Sequence, residues 1–396
     1  MNLKTLRQFL IACLLLLFGM NQAQQYAANN IPEHLKKDAY AVVRNEHDEV
    51  DFLAYNRVKK KSKIAVTVLN ESGMKYSFLP IYYNKSTKIN QFKATIYDAN
   101  GQVLRALKKK DLKDTSAYDG FSLFIDTRLQ YYDFSMNTYP FTIEYDYEVT
   151  YSNTINLPTW APIDNYNVAV EKSSLTLNNH TSILIRKQEL GFEFMKVEQN
   201  HSGNSWHYVV QNMAPINDEV LSPPLSEITA RVYFSPNEFQ LEGIKGKMEN
   251  WKDFGKWYYE NLIQDKYDLT EKDKQIAVNL VDGVEDPVEK VRILYEYMQS
   301  KTRYVNVSIG IGGWEPFSAN YVSSKSYGDC KALSNYMISL LKAVGIEGFY
   351  TVVNANKSRK VHMKDDFTSL QGNHVIVNVP MEDETLWLEC TSQQTA

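Results

Sequence analysis

YGDCKALSNYMISLLKAVG, residues 327–345, decides how the second half of the chain is read. Leu333, Met337, Leu340, Leu341 and Val344 recur at three- and four-residue spacing and Gly345 follows the last of them. The stretch therefore predicts a helix with one apolar stripe and a glycine stop. Cys330 falls in its first turn. Amide N–H groups there lack partners within the helix, and the macrodipole favours negative charge, so a thiolate is favoured over a thiol. The polar neighbours Asp329 and Lys331 argue against a merely structural, buried cysteine.

A thiol that reacts needs a base, and the base needs an orienting group. Downstream, Gly372-Asn373-His374-Val375-Ile376-Val377-Asn378-Val379 is rich in β-branched residues and predicts a strand. Pro380 to Asp383 reads as a turn and Glu384 to Thr391 as the returning strand. With a four-residue turn Val379 faces Glu384, which sets His374 opposite Glu389 on one face of the hairpin. Alternation then turns Cys390 to the other face. A disulfide between Cys330 and Cys390 is disfavoured but left open, because it requires Cβ atoms within about 4.5 Å.

Upstream, Asn250 caps a stretch in which Trp251, Phe254, Tyr258 and Leu262 form an apolar stripe, and a short helix starts at Thr270. Asp286-Pro287-Val288-Glu289 supplies a capping residue, proline at the first helical position and glutamate in the capping-box position. Val291, Leu294, Tyr295 and Met298 follow as its buried stripe. Residues 246–396 are thus expected to form an α+β domain, helices first and strands last.

Residues 24–245 read differently. Phe141, Ile143, Tyr145, Tyr147, Val149 and Tyr151 alternate with polar residues, as in a sheet with one wet face. Ile64, Val66 and Val68 mark another strand, and Asp98-Ala99-Asn100-Gly101 a hairpin turn. Val168/Val170, Leu175/Leu177, Ile183/Ile185 and Tyr208/Val210 mark further short strands, so this half is expected to be an all-β, sandwich-like domain. Tyr131, Tyr132, Tyr139 and Trp160 are candidates for a sugar-binding platform, with packing as the plainer reading. Lys59-Lys60-Lys61 and Lys108-Lys109-Lys110 read as solvated loops.

The 396 residues, 44% of them hydrophobic, with 3 cysteines, exclude a disordered or disulfide-stapled protein and suit at least two domains. Residues 1–23 read as a secretory signal peptide: Lys4 and Arg7, then an apolar run from Phe9 to Phe18, then small or polar residues. That run is shorter than the roughly 20 residues a membrane span requires, and no later stretch replaces it. Leu10-Ile11-Ala12-Cys13 resembles a lipid-attachment box, but the apolar run continues past Cys13. Lys4 and Arg7 are the only charges in 1–23, so their removal takes the formal charge from −4 to −6. A mildly acidic exported chain is not expected to bind nucleic acid. The expected location is the periplasm, the cell envelope or the exterior.

The order of cysteine on a helix start, histidine on a strand and acid on the next strand, in Gly328-Asp329-Cys330-Lys331, Asn373-His374-Val375 and Trp387-Leu388-Glu389-Cys390-Thr391, resembles the transglutaminase-like superfamily of papain-type folds. The first half is similar to an uncharacterised β-module that precedes this core in exported bacterial proteins. The resemblance implies a nucleophile at Cys330, a base at His374 and an orienting acid at Glu389, where relatives usually have aspartate. It also implies oxyanion donors, the backbone N–H near Cys330 as one and Trp314 or Tyr327 as candidates for the second, and a further β-domain beyond residue 396, so that the sequence reads as a truncated piece. Amide acyl transfer on a protein or peptide substrate, or on a cell-envelope polymer, is the activity implied. Hydrolysis is favoured over cross-linking, because nothing marks an amine or calcium site. The alternative is a non-catalytic envelope module binding protein or glycan. His362 reads as a solvated loop residue, and no metal or cofactor is expected, since no histidine has ligand spacing to another His or Cys and no phosphate-binding glycine loop is present.

Overall fold

The computed structural model describes residues 25–118, 120, 122–134, 136–355 and 364–392. Residues 1–23, read above as a signal peptide and including Cys13, and His362 lie outside the described residues. The chain divides into two compact units, residues 1–115 with 129–236 and residues 116–128 with 237–396.

The first unit is built on an eight-stranded sheet. Its strands are β1 (Ala41–Ala54), β2 (Arg57–Val68), β3 (Thr87–Tyr97), β4 (Val103–Lys108), β5 (Phe141–Tyr151), β6 (Val168–Asn179), β7 (Glu198–Ser202) and β8 (Ser205–Met213). Their spatial order is β7-β8-β6-β1-β2-β5-β3-β4. All neighbours are antiparallel except β1 and β6, which run parallel from Ala41↔Val168 to Phe52↔Asn179. The turn before β4 forms as its residues dictate: Asp98 Oδ1 accepts from the N–H groups of Asn100 (2.9 Å) and Gln102 (2.8 Å), and Gly101 takes φ 81°. A second layer covers the sheet. Ile185, Val232 and Phe234 of a short two-stranded sheet pack with Val50, Phe52, Leu175 and Leu177, while Ile81 packs with Ile89, Phe92 and Ile143.

Three expectations change here. The pairs at 168/170 and 175/177 are one strand, because the polar interruption is itself buried: Ser173 donates to Glu46 (2.6 Å) and accepts from the Trp160 indole (3.1 Å). The supposedly wet face of β5 is covered in part. Thr142 is buried against Thr67 (2.7 Å), and Glu144 accepts from the hydroxyls of Tyr26 (2.8 Å) and Tyr97 (3.1 Å). The aromatic platform does not form. Trp160 is buried, Tyr139 packs on Phe141, Tyr132 on Phe134 and Tyr131 on Phe78.

The second unit begins with a hairpin, Glu238–Leu241 and Ile244–Lys247, so the division falls near 236 instead of 245. The Phe239 ring lies 4.7 Å from that of Trp257, whose indole donates to Lys245 O (2.9 Å). The approach is close enough that a Cβ at Gly246 would fall 2.4 Å from Phe239 Cζ. The helices follow as α1 (Trp251–Tyr258), α2 (Glu271–Leu280), α3 (Pro287–Lys301), α4 (Ala319–Lys325) and α5 (Cys330–Ala343). Asn250, Thr270 and Asp286 each cap a helix through a side-chain oxygen. Glu289 pairs with Arg292 instead of closing the capping box. A sheet of β9 (Phe349–Val353), β10 (His374–Pro380) and β11 (Thr385–Leu388), in that order, ends the unit.

Helix α5 is the centre of this unit and is buried from Lys331 to Leu341 on every side, not along one stripe. The backbone around it accepts from two of its polar side chains: Ser334 donates to Val375 O (3.3 Å) and the Asn335 amide to Lys266 O (2.7 Å). The segment 116–128 also belongs to this unit. Phe124 and Ile125 pair in parallel with Val307 and Ser308, and Asp126 accepts from the Gly310 N–H (2.9 Å).

Candidate functional site

Cys330 is the first residue of α5 and is half-buried, as a free thiol. Asp329 is the N-cap: its side chain accepts from the Ala332 N–H (2.9 Å) and forms an ion pair with Lys331. Both charges are buried, at 3% and 7% exposure, so these neighbours fix the helix start instead of projecting into water. The capped first turn holds the sulfur at the positive end of a 14-residue helix.

His374 opens β10, and its Nε2 is 2.7 Å from Glu389 Oε2. With Nε2 engaged by the carboxylate, Nδ1 is left for the sulfur. The imidazole pKa is pushed up to about 9, first by its hydrogen bond with Cys330, against burial, and then by Glu389. Burial opposes the charge on Glu389, yet the Thr391 hydroxyl (2.6 Å), His374 and the Thr391 N–H (2.9 Å) together hold its carboxyl below the ordinary value. A thiol, an imidazole and a carboxylate thus follow one another, the order in which a carboxylate orients the base beside a nucleophile.

The expected register is off by two residues. The turn is Met381–Glu384, closed by Met381 N–H donating to Glu384 O (2.8 Å), and the ladder pairs Pro380 with Thr385 and Val377 with Leu388. A slip of two preserves parity, so Glu389 remains on the histidine's side and reaches it diagonally from just beyond the end of β11. Cys390 is buried in the core at 3% exposure, its thiol pushed up to about 12 by burial, and is not joined to Cys330.

A cavity of about 770 Å³ opens over Cys330 and His374. Its walls are mostly aromatic and aliphatic, with Trp251, Phe254, Tyr258, Trp314, Phe349 and Leu370 among them. Trp314 is therefore in the cleft, where its carbonyl accepts from the Tyr258 hydroxyl (2.7 Å). Tyr327 is not part of the lining. Its hydroxyl is 2.5 Å from that of Tyr321, in the pairing of strand 327–328 with 303–304. Sequence reasoning placed Tyr258 only in an apolar stripe and Thr391 only at the end of the last strand, and passed over Tyr350. The available signals were the aromatic face of α1, the period-two run Phe349–Val353 ahead of the histidine strand, and a hydroxyl residue two positions past the acid. Among the described residues no three His, Cys, Asp or Glu side chains are grouped to hold a metal ion.

Residues 274–391 match the profile of the Transglutaminase-like superfamily, and residues 54–217 that of a domain of unknown function with a solved structure, DUF3857. A candidate protease from Parabacteroides distasonis superposes on 88% of this chain and 67% of its own, at 14% identity and a TM-score of 0.63. A candidate cysteine protease from Cytophaga hutchinsonii aligns over 85% and 76%, at 10% identity and a TM-score of 0.24. None of the curated proteins compared with the chain matches it. The chain thus carries a transglutaminase-like domain preceded by a β-rich DUF3857 domain.

Proposed function

From a transglutaminase-like domain with Cys330, His374 and Glu389 drawn together, we propose that this protein is a thiol enzyme that cleaves amide bonds of peptide substrates. The observation behind this reading is the chain of contacts from the Cys330 sulfur through His374 to Glu389, with His374 Nε2 2.7 Å from the carboxylate, at the floor of a cavity. The thiolate adds to the amide carbonyl, and collapse breaks the C–N bond while His374 gives its proton to the departing amine. Water, deprotonated by His374, then displaces the thiolate from the thioester. Hydrolysis is preferred to transfer, since water is present at any open cleft and the lining offers apolar surface for a peptide side chain. Export follows from the reading of residues 1–23, which would give the enzyme protein or envelope-polymer substrates and no nucleic acid. Among the described residues no helix is long and apolar enough to cross a membrane.

The test is the alkylation rate of Cys330, followed by mass spectrometry across about pH 4 to 9, in the wild type and in His374→Ala, with Cys390 as internal reference. Rapid reaction below about pH 7 that His374→Ala abolishes supports the thiolate–imidazolium pair. Titration near the free-thiol value of about 8.5 refutes it.

A further inference from the structure

Gly255 lies within α1 and lines the cavity that opens over Cys330 and His374. Glycine gives up more conformational freedom in a helix than any other residue, so its presence there calls for a reason. The backbone supplies none, because Gly255 is helical and has no positive φ. Packing supplies none either: a Cβ built on Gly255 meets no atom within 4 Å among the described residues beyond its neighbours in the helix backbone. At about 100° per residue the wall residues of this segment spread over an arc from Phe254 through Tyr258 and Trp251 to Tyr259, and Gly255 falls inside it, one turn after Trp251 and one turn before Tyr259. The absent side chain leaves a notch in an aromatic wall. Trp251 is fixed on one side, its indole donating to Asp365 O (2.7 Å). On the other, Tyr259 opens a π-helical turn, Tyr259–Ile263, and stays 45% exposed. The two Cα positions are about 12 Å apart along the axis, enough for a single side chain between them.

We infer that the notch at Gly255 is the specificity subsite of this cleft and takes a large apolar side chain, aromatic above all, on the acyl side of the scissile amide. The inference rests on the thiol-enzyme reading above and adds the substrate class to it. The acyl part stays bonded to the Cys330 sulfur until water displaces it, whereas the amine departs after the first step. A walled space continuous with the sulfur therefore serves the acyl part. Its chemistry is apolar: Lys252, Asp253, Lys256 and Glu260 of the same segment all lie outside the lining, and what remains at the notch is ring surface, on which a substrate ring can stack. The cavity of about 770 Å³ is of the size that encloses most of a small ligand. Gly255 contrasts with Gly246, where a Cβ would fall 2.4 Å from Phe239 Cζ and the protein itself fills the space.

Chloromethyl ketones of N-acetylated amino acids probe the subsite without turnover, because the Cys330 sulfur displaces chloride while the side chain takes its place in the cleft. The N-acetyl-phenylalanine reagent should modify wild-type Cys330 at least about 10-fold faster than the N-acetyl-glycine reagent. Gly255→Ala should slow the phenylalanine reagent about threefold and Gly255→Leu about 10- to 100-fold, with the glycine reagent and iodoacetamide within about twofold of wild type in both. The melting temperature of Gly255→Ala should be unchanged or higher, since alanine is the better helix former and its methyl group meets nothing. Equal rates for the two chloromethyl ketones in the wild type overturn the inference, and so does an undiminished phenylalanine rate in folded Gly255→Leu. A parallel fall in all three rates and in melting temperature in Gly255→Ala also overturns it, marking a structural glycine. If Gly255→Leu does not fold, Gly255→Ala decides: a phenylalanine rate equal to wild type sinks the subsite. Wild-type Cys330 whose iodoacetamide reaction follows a free thiol defeats the underlying thiol-enzyme reading, a failure visible without the phenylalanine reagent.

Discussion

The two units each bring acidic and basic side chains together across neighbouring chain segments, and they use them oppositely. In the β-unit Asp48 receives Lys60 Nζ (2.7 Å) and the Ser62 hydroxyl (2.6 Å), and Glu46 receives the Ser173 hydroxyl (2.6 Å). Burial first, then the charge of Asp48, pushes the Glu46 carboxyl up to about 7, while Asp48 overcomes the burial that works against the charge on Lys60. In the second unit Cys330 and His374 line a cavity, with His374 held by Glu389 (2.7 Å). Perturbed ionisation is common to both clusters and so does not by itself mark a site. What separates them is completion: each carboxylate of the first has its partners within the protein, whereas the second leaves a nucleophile facing a cavity.

The sharpest way to break that contrast is His374→Ala. Removing the base should lower acyl transfer by about 10³-fold and abolish the low-pH reactivity of Cys330, with the melting temperature little changed. Equal reactivity in the variant would leave the second cluster as inert as the first. Next in size is Lys60→Ala. It strands Asp48 in a poorly solvated position and should cost the β-unit about 3 kcal/mol, read from urea unfolding, with Cys330 alkylation unaltered. Pairing Lys60→Met with Asp48→Leu should restore most of that loss, because an apolar replacement removes both desolvated charges. A change in Cys330 reactivity in either variant would mean that the β-unit's cluster has a part in the chemistry.

How much of this was legible depended on the range over which each signal acts. The caps at Asn250 and Asp286, the helix start at Thr270 and the turn at 98–101 are decided within four residues and formed, while the capping box from Glu289 did not. The His374–Glu389 proximity was legible through parity even though the turn position was misjudged, because an error of two residues keeps a side chain on its face. A slip of one would have destroyed it. The full burial of α5 was not legible: a stripe on a helix predicts one covered face, and Ser334, Asn335 and Ser339 give no sign of the backbone groups that accept from them. Nor was the association of 116–128 with Val307–Ser308, a pairing across about 180 residues that leaves no local trace. Tyr350 was missed as well: it reaches the cavity lining from the strand beside His374, which the sequence reading did not mark.

Glu389 offers a finer probe, since relatives of the resembling type usually have aspartate there. Here Oε2 serves His374 while Oε1 receives both the N–H and the hydroxyl of Thr391, so the longer side chain spans two anchors. Glu389→Asp withdraws the carboxylate by one methylene and cannot keep both. Acyl transfer should fall about 10- to 100-fold, as for other small displacements of an orienting group, with Cys330 alkylation reduced less. Thr391→Val keeps the backbone N–H and should lose less than Glu389→Asp. If the two were equal, the hydroxyl would be the dominant anchor.

The smallest expected effect tests the ionisation state directly, through stability. The folded-state pKa of His374, about 9, lies above its ordinary 6.5, so the imidazolium is favoured by folding. Its contribution is complete below about 6.5 and is lost as pH rises through about 9. Glu389 is shifted the other way, so its contribution is present above its ordinary 4.5 and lost as pH falls toward its lower folded value. The stability difference between wild type and His374→Ala should therefore be greatest between those limits and narrow on either side. Glu389 is 38% exposed, and solvent screening holds the whole effect to within about 1 kcal/mol. Urea unfolding at about pH 6 and about pH 10 reads it: the wild-type advantage should shrink at the higher pH, because the imidazolium that Cys330 and Glu389 stabilise has then lost its proton. An advantage that grew with pH would mean a neutral imidazole in the folded protein, placing His374 with satisfied groups such as Ser173 instead of in a charged pair with Cys330.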